Sequence, residues 1–260
     1  MAQPDDPRGI LYPSRLPSFH REPPPDELVG LVRWFWVPRW NLRDGEVSRQ
    51  EILPFPASIL VVEPDGVTLH GPTTGASHRE LRGRGWAVGA SLRPAAIASV
   101  HPQIQAIRDD EVPFDAPDLR RHVADAMADD APPARAVARF AAWAIARLTP
   151  PDEAGRLANA MEDLISTDRG IVRVEHVAER LGVTVRTVQR LARSHVGVPP
   201  LAMIRRYRLQ EAAQRLREDP TLTIAAIAAG LGYADQAHLA TDFRTVLGLS
   251  PSSYRGRHSR

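Results

Sequence analysis

Apolar residues alternate or form short runs through the first hundred positions. Beyond about residue 115 they recur at three- and four-residue spacing. Alternation is the signature of half-buried strands, and the wider spacing that of helices with one buried face. Leu28 to Trp40 is the first apolar run, and its alternation predicts a strand. Val32, Trp34 and Trp36 fall on one side of it, and Arg33, Phe35 and Val37 on the other. Ile52 to Val62 and Val67 to His70 predict strands around a Pro64-Asp65-Gly66 turn, with Pro54 and Pro56 marking an edge or bulge. Trp86 to Leu92 is a further strand candidate. After Arg93 and Pro94, Ala95 to Val100 predicts a short helix with proline in its first turn. The first hundred residues therefore predict a small barrel or sandwich.

Asp118 to Met127 and Ala134 to Leu148 predict helices. In the second, Val137, Phe140, Ala141, Ala144 and Leu148 form one apolar stripe. The stripe suits core packing better than a dimer seam, which wants a longer heptad run. Pro150 and Pro151 end this helix and place a domain boundary near 150, and Gly155 to Ser166 predicts the next helix. Residues 1–26 hold seven prolines and predict an extended arm.

The rest of the chain is organised by a repeat. Val174 to Pro200 and Ile224 to Pro251 carry the same pattern. Ala178, Leu181, Gly182 and Val188 match Ala228, Leu231, Gly232 and Leu239, and Gly197 and Pro200 match Gly248 and Pro251. The second copy holds one extra residue in its turn. Each copy reads as helix, glycine turn, helix: the glycine permits the positive φ of a tight turn, and Thr184 and Asp235 suit the N-cap of the second helix. The predicted units lie at about 172–195 and 223–247, with a linking helix at about 201–217.

In the first unit Val185, Val188 and Leu191 face inward. That leaves Arg186, Thr187, Gln189, Arg190 and Arg193 outward. Arg pairs with guanine and Gln with adenine in the major groove, so this helix has the side chains of a base reader. In the second unit Leu239, Phe243 and Val246 face inward, and Gln236, Ala237, His238, Thr241 and Arg244 outward. Arg205 and Arg206 on the linking helix, with Thr187, Arg193 and Arg244, are candidates for phosphate contacts, which position a protein without reading sequence. A rigid linking helix would set the two readers in successive major grooves, about 34 Å apart.

Charge adds one fact. Residues 151–260 hold 16 arginines against 12 acidic residues, whereas residues 1–150 hold 17 against 19. All 33 basic residues are arginine, so arginine alone does not single out a binding residue. The absence of cysteine excludes disulfides, thiolate metal sites and cysteine nucleophiles. His20, His70, His78 and His101 lack ligand spacing, so no metal or other cofactor is expected. No catalytic constellation stands out, and no enzyme activity is expected. The start of the chain lacks the pattern of a signal peptide and no apolar run is long enough for a membrane span, which makes the cytoplasm the default location. Trp34 and Trp36 are candidates to line an effector pocket, or else to fill a β core.

Residues 156–256 resemble the AraC family of bacterial transcription regulators. The resemblance rests on Val177-Ala178 and Ile227-Ala228, on Gly182 and Gly232, and on Arg208-Leu209 followed by Ala212. It is completed by Phe243-Arg244, Gly248, Ser250-Pro251 and Tyr254-Arg255. The family usually places Phe where this chain has Ala192. The resemblance implies an α+β protein: a small β-barrel or cupin-like domain with helices over 27–150, and an all-α domain of two helix-turn-helix units over 151–260. It implies base reading by Arg186, Gln189 and Arg190, then by Gln236, Ala237, His238 and Thr241. The implied partner is double-stranded DNA. A small-molecule effector at the N-terminal domain, RNA polymerase and a second copy of the chain are further candidates.

Overall fold

The computed structural model describes residues 18–128 and 131–258. Among the described residues there are nine strands: β1 (Phe19–Glu22), β2 (Val32–Asn41), β3 (Val47–Ile52), β4 (Ile59–Glu63), β5 (Gly66–His70), β6 (Ser77–Arg82), β7 (Arg84–Trp86), β8 (Val88–Leu92) and, after the first helix, β9 (Glu111–Pro113). The helices are α1 (Ile97–Val100), α2 (Pro117–Met127), α3 (Pro133–Arg147), α4 (Glu153–Thr167), α5 (Val174–Leu181), α6 (Val185–His195), α7 (Pro200–Glu218), α8 (Ile224–Gly230), α9 (Gln236–Leu247) and α10 (Pro251–His258). Short 3-10 turns lie at Pro94–Ala96 and Ile104–Ile107.

The large sheet runs β1-β2-β8-β4-β5-β9, with β7 also paired to β2, and β3 and β6 form a separate two-stranded ribbon. One face of the sheet packs Phe35, Leu60, Leu69 and Val88 against Leu119 and Val123 of α2 and Val137 and Phe140 of α3. The α3 stripe is therefore core, with the Phe35 and Phe140 rings 5.5 Å apart. The other face looks across a cavity to the ribbon. Sheet and ribbon together make the small barrel.

Three local differences from the sequence pattern have physical causes. The register of β2 against β8 shifts between Val32 and Trp34. This bulge reverses the alternation, so Val32 joins Phe35 and Val37 in the core, while Trp34 and Trp36 face the cavity. The predicted strand from Ile52 to Val62 is broken over 53–58, where Pro54 and Pro56 supply no N–H. Of the arm expected over 1–26, residues 1–17 lie outside the described range, and Phe19–Glu22 is an edge strand paired to β2. Phe19 stacks on Trp36 there, with centroids 6.5 Å apart.

The helical half holds two buried clusters. One gathers Val177, Val188, Leu191 and Met203; the other gathers Leu209, Leu216, Leu239, Phe243 and Tyr254. Both admit side chains from the first half of the chain: Trp34 and Phe55 join the first, and Leu53 the second. Between the halves, α4 acts as a spacer. Asn159 accepts a hydrogen bond from Ala95 N at 3.0 Å and donates to Gly30 O at 2.8 Å. Glu162 is fully buried, pairs with Arg33 at 2.6 Å and accepts from the Tyr207 hydroxyl at 3.0 Å. Burial alone would lower the Arg33 pKa, but the Glu162 carboxylate holds it above the ordinary value. Strand β2, α4 and α7 thus meet at one charged contact. Among the described residues no helix is long and apolar enough to cross a membrane.

Candidate nucleic-acid interface and interior cavity

The first helix-turn-helix unit is α5 and α6. Gly182 closes α5 with φ of +64°, the left-handed conformation that ends helices at glycine. The Thr184 side chain accepts from Thr187 N at 3.2 Å and so caps α6. Val188 and Leu191 are fully buried. With that face fixed, Arg186, Gln189, Arg190 and Arg193 are exposed. Thr187 is half-buried, and its hydroxyl lies 3.0 Å from that of Thr184.

The second unit, α8 and α9, repeats the plan. Gly232 has φ of +68°, and Asp235 caps α9 by accepting from His238 N at 2.7 Å. Leu239 and Phe243 are fully buried, leaving Gln236, Ala237, His238, Thr241 and Arg244 exposed. Two of these side chains are already engaged. The Thr241 hydroxyl donates to Ala237 O at 2.9 Å, and the His238 ring meets Tyr233 edge-on at 5.3 Å.

The linking helix α7 carries its arginines unequally. Arg205 is exposed. Arg206 and Arg208 are half-buried, and burial pulls both guanidiniums below their ordinary pKa against the opposing field of Asp242. The Arg208 guanidinium lies 4.1 Å from the centroid of the Tyr233 ring, a cation–π contact that ties α7 to the turn of the second unit. Burial, then Asp242, push the Tyr233 hydroxyl up, and it donates to that carboxylate at 3.2 Å. This Arg208–Tyr233–Asp242 contact is not visible in the sequence pattern, because its members are up to 34 positions apart.

The cavity of the barrel has a volume of about 240 Å³. Trp34, Trp36 and Trp40 of β2 line it with Phe19 and Phe55. Both sequence candidates, Trp34 and Trp36, are therefore at the cavity. The indoles of Trp36 and Trp40 lie against Gly89 and Gly85, where any added Cβ would collide with the rings. The polar lining includes Arg21, Gln50, Glu63, His70, Thr73, Ser77, Arg79 and Ser91. Sequence reasoning missed these; strand pairing and the segment after β5 bring them together. His70 contacts Glu111 at 2.9 Å, and its second ring nitrogen lies 3.3 Å from Arg79 Nη2. Burial lowers the His70 pKa against the opposing pull of Glu111. Burial also raises that of Glu63, against the opposing effect of Arg79.

The connection from β5 to β6, residues 71–76, touches both the cavity and the two helix-turn-helix units. Gly71 and Thr73 line the cavity. Pro72, with Ile104, abuts Gly197 beyond the end of α6, and Ala76 N donates to Val246 O near the end of α9 at 3.0 Å. Asp109 pins the connection, accepting from Thr74 N at 2.5 Å and from its hydroxyl at 2.6 Å. Asp109 itself has φ of +61°, a conformation Asp tolerates better than most residues. The barrel thus meets α6 and α9 at or beyond their C-terminal ends, and Arg186, Gln189, Arg190, Gln236, Ala237 and His238 nearer their N-terminal ends are exposed.

Two family profiles match the chain: a helix-turn-helix domain over residues 177–257, and a domain of unknown function (DUF6597) over residues 20–113. The HTH-type transcriptional activator RhaS of Pectobacterium carotovorum subsp. carotovorum (strain PC1) is 34% identical over 79 residues, covering 30% of this chain and 28% of its own length. A putative AraC-like transcription regulator of Streptomyces lividans is 35% identical over 82 residues, covering 32% and 27%. The transcriptional activator NphR of Rhodococcus sp is 31% identical over 147 residues, covering 50% and 43%. The chain thus spans less than a third of the length of the first two relatives.

Proposed function

We propose that this chain, whose residues 177–257 form a helix-turn-helix domain of the AraC family, is a transcription regulator that reads two successive major grooves and takes its signal from a small molecule in the barrel. The observation that carries the first part is the pair of capped helices, α6 and α9, with open N-terminal halves on one linking helix. Arg186, Gln189 and Arg190 are the base readers of α6, with Thr187 and Arg193 on phosphate. Gln236 and His238 offer fewer polar groups on α9, Ala237 offers none, and Thr241 is engaged by its own helix. The first unit therefore carries most of the base specificity, and the second, with Arg244, mainly anchors. Arg205 is the better phosphate contact of α7, since Arg206 is half-buried.

The sensing part rests on the cavity. A purely structural barrel would close its interior, whereas this one keeps about 240 Å³ walled by aromatic rings with a few polar groups, the usual make-up of a small-molecule site. Selection from a random duplex library with the full chain tests the reading. The expected product is a two-part site with half-sites about one helical turn, roughly 10 base pairs, apart. Enrichment of no sequence at all would sink it.

A further inference from the structure

We infer that the barrel cavity takes a flat aromatic carboxylate, its ring on the tryptophan wall and its carboxylate on Arg79. This deepens the sensor reading and rests on it. The shape of the wall comes first. Trp36 and Trp40 pack against Gly89 and Gly85, which supply no side chain there, and both indoles line the cavity, with Phe19 stacked on Trp36. A volume of about 240 Å³ leaves room for one or two fused rings with a short acid arm.

The charge comes from the opposite wall. Arg79, on the ribbon strand β6, makes one hydrogen-bond contact, from Nη2 to His70 Nε2 at 3.3 Å. Its acidic neighbours stand off, Glu111 at 3.7 Å and Glu63 at 4.0 Å. Among the described residues Nε and Nη1 of Arg79 have no hydrogen-bond partner. Such a fork matches the two oxygens of a carboxylate. A cationic ligand fits poorly, because the Arg21 guanidinium already occupies the Trp34 face, 4.6 Å from its centroid.

Isothermal titration of the full chain with three compounds on one ring system is the test: 1-naphthylacetate, its primary amide, and 1-naphthylmethylamine. The acid is expected to bind one to one, and about tenfold or more tighter than the amide. Arg79→Gln is expected to bring the acid down to the amide while leaving the amide unchanged, and Arg79→Lys to keep part of the preference. Thermal unfolding of each variant separates lost binding from lost fold. An amide or amine that binds as tightly as the acid overturns the inference. So does a preference that survives in Arg79→Gln, or no binding by any of the three. Repeating the titration on DNA-bound protein keeps the two readings apart. If the amide or amine binds and shifts DNA affinity, sensing stands and the carboxylate falls. If the acid binds and DNA affinity is unmoved, the carboxylate stands and sensing falls.

Discussion

Arg186 stands at the second position of α6, exposed and free of any ion pair among the described residues. A bidentate contact to guanine contributes about 1–3 kcal/mol of discrimination. Arg186→Ala should therefore weaken binding to a selected site by roughly 5- to 150-fold, and barely change binding to random duplex, as read by gel shift at fixed salt. Equal losses on both would show that Arg186 meets phosphate instead. Glu162 tests the interior. Glu162→Ala leaves Arg33 buried with only the more distant Asp163, 4.0 Å away, as acid. Breaking a buried pair in this way costs about 3–5 kcal/mol, measurable by urea unfolding, whereas Tyr207→Phe, which removes one hydrogen bond to the carboxylate, should cost about 1.5–3 kcal/mol. The outward positions of α6 were legible in the sequence because helical period and inward Val188 and Leu191 fix them. Arg33, Glu162 and Tyr207 were not, because their contact joins three elements that no local pattern relates.

At the level of elements, α6 and α9 share a plan and differ in what they present. Each cap can be removed alone. Thr184→Ala and Asp235→Ala should each cost about 1 kcal/mol of stability, seen as a lower urea midpoint. The doublet Gln236→Ala with His238→Ala should weaken selected and random DNA to a similar degree, while changes in α6 should fall mainly on the selected site. A selective loss from the α9 doublet would overturn the assignment of α9 as an anchor. The helices, their glycine turns and their caps were readable because each depends on a few adjacent residues. The strands were less so. Ser-His-Arg-Glu-Leu-Arg of β6 is too polar to announce a strand, and it is one only because β3 pairs with it. The phase of β2 was misread at Val32 because a bulge leaves no mark in an alternating run.

Across the whole molecule, the connection at 71–76 is one path from the cavity to α6 and α9. Asp109→Ala removes both hydrogen bonds to Thr74 and places a Cβ-bearing residue without a polar side chain at positive φ. Binding of 1-naphthylacetate to the cavity should survive this change, while the shift in DNA affinity that the ligand causes should shrink. An undiminished shift would route the coupling elsewhere. Leu53 has a different consequence. It follows the ribbon strand β3, yet its fully buried side chain sits in the cluster of Leu209, Phe243 and Tyr254. Residues 151–260 therefore do not hold their own core complete. A recombination event that grafted residues 151–260 onto an unrelated sensor would leave a hole there, and Leu-sized holes typically cost about 2–5 kcal/mol. The two halves are bound to descend together, or to be shuffled only between lineages whose barrels bring their own plug.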